Sequence, residues 1–404
     1  MKKNIIIKNS IPKSFLKNKK AKNKNYLISS TLNGIFMNIE NRKDTFHLLS
    51  KKFKFGFKKS YLKKYRKFKR VAIIGMGGSI LGTKAIHCFL HHKIKKSFLF
   101  LDNLDEVSIE DLIYKKNLKK TLFIIVSKSG NTTETLTNVN LIKKVKLNSS
   151  NTIIIVENRN NFIRNLASKL KIPIVEHKRY IGGRYSVLSE VGMIPASLMG
   201  LKVGNFRKNL LDYFKNKKKK LLIDGVLKLS KIYLSKNINS IVFFTYSPQL
   251  IDFANWLQQL AAESLGKRGK GLLPIVSTGP KDHHSLLQLY LDGPKDKMFY
   301  ILSSKGLYNT KVGNKYLDKK SKFLKNKKLN KIILSQKDAL VTVLKKKNIP
   351  FREIYIKNFT EEAIGELFSY FMLETAMIGK LINVNPFDQP AVEEVKTLTK
   401  KFLI

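Results

Sequence analysis

Apolar positions in this chain fall into short runs separated by longer amphipathic stretches. From Arg70 onward, runs of strand length recur at Val71–Ile74, Phe98–Leu101, Leu122–Val126, Thr152–Val156 and Ile172–Val175. Segments of helical length lie between them, as at Thr83–Leu90 and Glu134–Val145. Strands alternating with helices predict a parallel sheet covered on both faces. A second cycle follows the basic stretch around Lys217. Ile241–Thr245, Leu272–Val276, Met298–Leu302, Lys331–Leu334 and Phe351–Ile356 read as strands there, and Gln249–Leu265 and Glu361–Ile378 as long helices. A final helix is predicted over Phe387–Leu403, with Pro386 and Pro390 near its start. Residues 1–69 read as a polar, mostly helical lead-in. The fold class that follows is α/β, with two doubly wound parallel-sheet halves joined near residues 205–220.

Composition changes this picture little. A length of 404 residues suits two domains, and 43% hydrophobic residues are ample for buried cores. The single cysteine, Cys88, cannot form an internal disulfide, which suits a reducing compartment. The apolar run Ile5–Ile7 is too short for the core of a secretory signal, and no stretch reaches the roughly 18 apolar residues of a membrane span. The expectation is a soluble cytoplasmic protein that binds no membrane. A formal net charge of +50 raises the question of nucleic acid. The excess is nearly all lysine and is spread along the chain. Its densest runs, Lys17–Lys24, Lys58–Arg70, Lys217–Lys220 and Lys319–Lys328, lack the interleaved aromatics of an RNA-binding sheet. No nucleic-acid partner is expected. The charge would help steer an anionic substrate.

Two loops carry candidate chemistry. Gly75-Met76-Gly77-Gly78-Ser79-Ile80-Leu81-Gly82 follows the first apolar run. Glycines at a strand-to-helix turn let backbone approach a ligand, and the helix start favours an anion. A dinucleotide site would place an acid about 20 residues on, where Asp102 lies, but its fingerprint needs glycine where Ile80 stands. A purely structural turn is the plainer alternative. Ser127-Lys128-Ser129-Gly130-Asn131-Thr132-Thr133-Glu134-Thr135 is the stronger candidate. Hydroxyls and free N–H groups at a helix start hydrogen-bond phosphate oxygens, and carboxyl ends of parallel strands are where such folds bind ligands. The bland alternative is a helix N-cap with no ligand.

This second loop resembles the phosphate loop of sugar isomerase domains, and the glycine loop is similar to its counterpart in the phosphoglucose isomerase family. Gly182-Gly183-Arg184-Tyr185-Ser186 is similar to the arginine motif of that family. Glu263-Ser264-Leu265-Gly266-Lys267, Asp282-His283-His284-Ser285-Leu286-Leu287-Gln288 and the segment from Asn385 to Lys396 follow in the family's order. The resemblance implies two sugar isomerase domains in αβα sandwiches. The boundaries are a lead-in at 1–69, domains at 70–205 and 206–384, and a helical tail at 385–404. It also implies aldose–ketose isomerisation of glucose 6-phosphate and fructose 6-phosphate through a cis-enediol, with no cofactor or metal.

The resemblance also implies roles. Glu263 matches the base that moves a proton between C1 and C2, a service that contributes about 10²–10⁴-fold. Arg184 matches the cation beside the enediolate oxygen. His284 and Lys396 match the residues that open the sugar ring; His283 is the neighbouring alternative, and register favours His284. In the family this histidine comes from the neighbouring subunit, which implies a homodimer with shared sites. Phosphate binding falls to Ser127, Lys128, Ser129 and Thr132, with Gly78 and Ser79 close by, and Gln389 matches a substrate-contacting glutamine. Periodicity alone would leave Glu263 and Lys396 as ordinary surface charges and Arg184 as a salt-bridge residue.

The loop departs from animal-type members, which have Thr and Phe where Ser129 and Gly130 stand. Bifunctional glucose/mannose phosphate isomerases have more similar loops, so mannose 6-phosphate is an alternative second substrate. A non-enzymatic sugar-phosphate regulator is the other alternative; it would need a DNA-binding helix-turn-helix segment and gives no reason for Glu263, His284 and Lys396 together. His87 and His91 are four apart and share a helical face beside Cys88 and His92, a spacing that can hold a metal; no catalytic carboxylate accompanies them, and enediol isomerases of the resembled type need no metal.

Overall fold

Among the described residues, ten strands form two five-stranded sheets. They are β1 (Ile5–Ser10), β2 (Arg70–Ile74), β3 (Ser97–Leu101), β4 (Thr121–Ser127), β5 (Thr152–Val156), β6 (Ile174–Glu176), β7 (Ser240–Thr245), β8 (Leu273–Thr278), β9 (Lys297–Ser304) and β10 (Phe351–Ile356). The structure is a computed structural model that describes residues 4–16, 24–115, 118–142, 146–235 and 237–404. The first sheet has the order β3-β2-β4-β5-β6 and is parallel throughout. The second has the order β1-β10-β9-β7-β8, parallel except where β1 pairs antiparallel with β10, Ile5 opposite Ile356 and Ser10 opposite Phe351.

Both faces of each sheet are covered, which is why the strands read as unbroken apolar runs. Successive side chains point to opposite faces. In the first sheet Val71, Ile73, Leu122, Ile124 and Ile155 pack with Ile194 and Leu198 on one side. Ala72, Ile74, Phe123, Ile125 and Ile154 pack with Ile109, Val139 and Ile163 on the other. In the second sheet Val242, Phe244, Phe299 and Ile301 meet Leu340, Val341 and Leu344. Its other face meets Phe253, Trp256, Phe368 and Phe371, and the same apolar cluster runs on to Ile86 and Phe89 of the first half. The two halves therefore share one continuous core. The helix Leu81–Leu90, which follows the glycine loop, lies along the helix Ile251–Leu265, which carries Glu263.

The structure corrects several element boundaries. Lys331–Leu334 belongs to the helix Leu329–Lys346, not to a strand: Lys337, Leu340, Val341 and Leu344 continue the apolar spacing at helical period. The lead-in is not simply helical. Ile5–Ser10 forms β1, with Ile5 and Ile7 buried. The helix Lys24–Asn38 follows it and packs on the second half. The final helix spans Val392–Phe402 and starts later than expected, beyond Pro390. The helix expected over Glu134–Val145 is described as Thr133–Leu141; residues 143–145, and 17–23 of the run Lys17–Lys24, lie outside the described residues. Among the described residues no helix is long and apolar enough to cross a membrane.

Close packing here depends on particular glycines. A Cβ on Gly365, in the helix Glu361–Leu381, would lie 2.1 Å from the Phe206 carbonyl oxygen. Gly34, in the helix Lys24–Asn38, has nothing within 4 Å of its Cβ position. Gly365→Ala is expected to lower unfolding free energy by about 1–3 kcal/mol through overpacking. Gly34→Ala is expected to raise it by up to about 1 kcal/mol through helix propensity. Urea midpoints of the two variants check both signs.

Candidate active site

The carboxyl ends of β2 and β4 and the helix Ile251–Leu265 converge because the backbone between them is bare. After β2 the chain turns at Gly77–Ser79. A Cβ on Gly75 would lie 2.8 Å from the Val126 carbonyl, and one on Gly78 only 2.1 Å from the carbonyl carbon of Gly183. Gly77 has φ +50, a left-handed conformation that favours glycine, and a Cβ there would meet Gln259 Nε2 at 2.7 Å. The glycine loop is thus wedged between β4, which leads into Ser127, and the Gly182–Arg184 turn. The Ser186 hydroxyl pins this contact by donating to the carbonyls of Gly183 (2.7 Å) and Gly78 (3.3 Å). Ser79 is buried in the turn.

Arg184 is the centre of the site and is almost fully buried. Its Nε donates to Ser264 Oγ at 2.8 Å. Nη1 donates to Glu263 Oε2 at 3.0 Å and Gln389 Oε1 at 2.6 Å. Nη2 donates to the carbonyls of Pro386 (2.7 Å) and Asp388 (3.0 Å). The Tyr185 hydroxyl reinforces the same partners, 3.1 Å from both Ser264 Oγ and the Pro386 carbonyl. Lys267 closes the cluster. It pairs with Asp388 at 3.0 Å and donates to the carbonyls of Ser264 and Asn385. Glu263 keeps a third of its side chain exposed. Its second oxygen, Oε1, accepts from Gln259 Nε2 at 2.9 Å.

The hydroxyl loop sits at the end of β4. Thr132 Oγ1 lies 3.2 Å from Ser127 Oγ and 3.3 Å from Ser129 Oγ, so three hydroxyls point at one another. Thr132 precedes the helix Thr133–Leu141, but its side chain makes no capping bond. These hydroxyls are therefore not spent as a helix cap. Gly130 has φ +70, and any Cβ there would collide with Asn161. Its N–H donates to Ser127 Oγ at 3.1 Å. Lys128 lies 3.6 Å from Glu157, whose other oxygen is 3.2 Å from Arg159. Burial holds the Lys128 ammonium below the ordinary lysine range against the pull of Glu157.

The structure brings Glu263, Arg184 and Gln389 into direct contact, with Gly78 packed against the backbone of the arginine. It does not bring His284 or Lys396 to them. His284 ends the turn Lys281–His284 and is exposed, whereas His283 is half-buried and pairs with the Tyr246 hydroxyl. Lys396 is exposed and pairs at 2.7 Å with Glu393 of its own helix. That helix buries none of its residues. Asp102 pairs with Lys84 at 2.6 Å. His87 packs edge-on against His91 and against Phe98 and Phe100; burial and His91 push its pKa down to about 4. Among the described residues no three metal-ligating side chains cluster. A cavity of about 640 Å³ lined by Lys59, Arg66, Lys96 and residues 197–205 contains none of the motif residues.

Sequence reasoning missed Gln259, Ser264 and Tyr185. Gln259 was open to inference, because it precedes Glu263 by one helical turn and shares its face. Ser264 and Tyr185 sit inside motifs already singled out, but nothing in their order says that both reach Arg184 or its partners.

The family profile described as Phosphoglucose isomerase matches residues 13–279. A glucose-6-phosphate isomerase of Methanocaldococcus jannaschii is 34% identical over 346 residues, covering 82% of this chain and 83% of its own. One from Campylobacter jejuni is 31% identical over 83% of this chain and 85% of its own. Among solved structures, a hypothetical protein from Thermus thermophilus superposes with a TM-score of 0.83 at 23% identity, covering 98% of this chain and all of that one. A glucose-6-phosphate isomerase from Chlamydia trachomatis superposes at 0.71 and 19% identity, covering 85% of this chain and 71% of that one. At such identities the superpositions speak for the fold alone; the family profile and the sequence matches place this chain in the phosphoglucose isomerase family.

Proposed function

We infer that the chain is an enzyme that interconverts glucose 6-phosphate and fructose 6-phosphate through a cis-enediol. The observation that carries this reading is the Glu263 carboxylate, partly open to solvent and held by Arg184 at 3.0 Å and Gln259 at 2.9 Å. A base that serves two adjacent carbons must be aimed, and these two contacts aim it. Glu263 takes the proton from C2 of the aldose and returns it to C1; the reverse reaction runs the same path backward. The Arg184 guanidinium stabilises the oxygen that gains negative charge in the enediolate. Gln389, held by the same guanidinium nitrogen as Glu263, orients substrate hydroxyls. The hydroxyls of Ser127, Ser129 and Thr132, with Lys128 and the turn at Gly78 and Ser79, take the phosphate and tether the far end of the sugar.

The same reading divides the chain into two sugar isomerase domains, 70–205 and 206–384, with a tail at 385–404. It also makes the enzyme a homodimer. Two features support the dimer. His284 faces solvent in the single chain, although ring opening needs it at a sugar oxygen. The tail helix Val392–Phe402 leaves Val392, Val395, Leu398 and Phe402 exposed, an apolar stripe that asks for a second surface. Docked against a partner, that helix would bring Lys396 from an exposed position to a site. The lone free Cys88 and the basic surface suit a cytoplasmic enzyme that gathers anionic substrate.

Two experiments test the reading. Glu263→Gln should retain binding of a substrate analogue and lose isomerisation by about 10²–10⁴-fold in a coupled assay with fructose 6-phosphate. Near-normal turnover would remove Glu263 as the base. The dimer is tested by mixing. Glu263→Gln and His284→Ala homodimers are each expected to be nearly inactive. After unfolding together and refolding, heterodimers would carry one intact site, and activity should return to about a quarter of wild type. No recovery from a properly refolded mixture would mean that the two residues serve the same chain.

A further inference from the structure

The strands β4, β5 and β6 are neighbours in the first sheet, and their carboxyl ends place Lys128, Glu157 and His177 side by side. The Glu157 N–H donates to the Lys128 carbonyl at 3.3 Å, and the His177 N–H donates to the Val156 carbonyl at 2.9 Å. Glu157 is 4% exposed. A buried carboxylate is retained only with compensating charge, and Glu157 has two cations, Lys128 at 3.6 Å and Arg159 at 3.2 Å. We propose that Glu157 is the positioning residue of the phosphate loop: it grips Lys128 by backbone and side chain and keeps its amine charged, aimed and free to transfer to the substrate's phosphate. This inference rests on the reading of Ser127–Thr132 as the phosphate site.

Among the groups facing the Lys128 amine, Arg159 and Arg184 are cationic and favour the neutral form, as does burial. His177 is fully buried; burial and Lys128 push its pKa down to about 3, so its ring is neutral and supplies no counter-charge. Its Nε2 has no partner among the described residues. Glu157 is the acid that offsets these influences. The 3.6 Å separation exceeds a good N–H···O distance, so the ammonium is attracted without being locked, and its three donors stay available. Arg159 remains on Glu157 once Lys128 turns to a phosphate dianion, which prevents the carboxylate from being stranded.

The sign of the pH effect follows. Lys128 binds phosphate only as the ammonium. Removing the Glu157 charge leaves burial and two arginines unopposed, so the Lys128 pKa falls further below its ordinary value. The KM for a sugar phosphate should then rise with pH, while the proton-transfer step is spared. The phosphate of the substrate has its second pKa near 6 and does not titrate in the alkaline window.

The test is a kcat and KM profile for fructose 6-phosphate from about pH 7 to about pH 9.5. Glu157→Gln keeps the side-chain shape and the backbone bond. Its KM is expected to climb about tenfold more than that of wild type across this window, with the effect on KM rather than on kcat. Adding Lys128→Arg to it should flatten the climb, because a guanidinium stays charged. A Glu157→Gln profile that superimposes on wild type, or a double variant that climbs equally, overturns the proposal. Should Glu157→Gln fail to fold, the single Lys128→Arg variant decides. An alkaline rise in wild-type KM that this variant abolishes supports the role, and a rise that it keeps overturns it. Lys128→Met separates the two levels. An unchanged KM at pH 7 would remove Lys128 from the phosphate site, whereas a raised KM with a flat Glu157→Gln profile would remove Glu157 alone.

Discussion

A buried guanidinium organises this molecule. Taking a charge out of water costs several kcal/mol unless its donors are all met, and breaking such a network leaves the rest of it stranded. Arg184 meets this demand with a hydroxyl, a carboxylate, an amide and two main-chain carbonyls drawn from two distant segments. The first half of the chain supplies the arginine, the helix after β7 supplies Glu263 and Ser264, and the segment after Val384 supplies the remainder. Each is held in place by the same planar fork. A lysine offers a single nitrogen and could not span these directions.

The glycine contacts make that fork possible. Gly78 lies so close to the Gly183 carbonyl that no side chain fits at position 78. The arginine backbone can therefore sit against the turn that follows β2, while its side chain reaches across to the second half. The bare Cα of Gly78 sets that distance. The hydroxyl loop follows a similar rule, since Gly130 stands where Asn161 leaves no room for a Cβ. The positions in this protein least tolerant of change thus include residues with no functional group at all.

Most of the wound architecture was legible in the sequence because strands covered on both faces are apolar at every position. The pattern failed where burial is one-sided or short. Ile332-Ile333-Leu334 imitates a strand but begins a helix, and only the later spacing of Leu340, Val341 and Leu344 distinguishes the two. Ile5–Ser10 alternates weakly and carries Lys8 and Asn9, so its pairing with β10 is a tertiary fact that no local pattern encodes. The same division holds at the site. Motif order picked out Glu263, Arg184 and Gln389, which meet inside one chain. Motif order picked out His284 and Lys396 as well, which stand exposed and apart from these three in the single chain. Glu157 escaped notice because its meaning comes from sheet order, which brings the end of β5 beside the end of β4.

The antiparallel strand at the edge of the second sheet has a consequence for synthesis. β1 leaves the ribosome well before its partner, since Phe351–Ile356 emerges more than three hundred residues later. At typical elongation rates of about 5–20 residues per second, the strand waits tens of seconds for its edge. The first sheet draws all five strands from residues 70–176 and has no such dependence. A nascent chain can complete the first sheet while β1 is still unpaired, which leaves that apolar edge segment exposed to chaperones until Phe351–Ile356 has emerged.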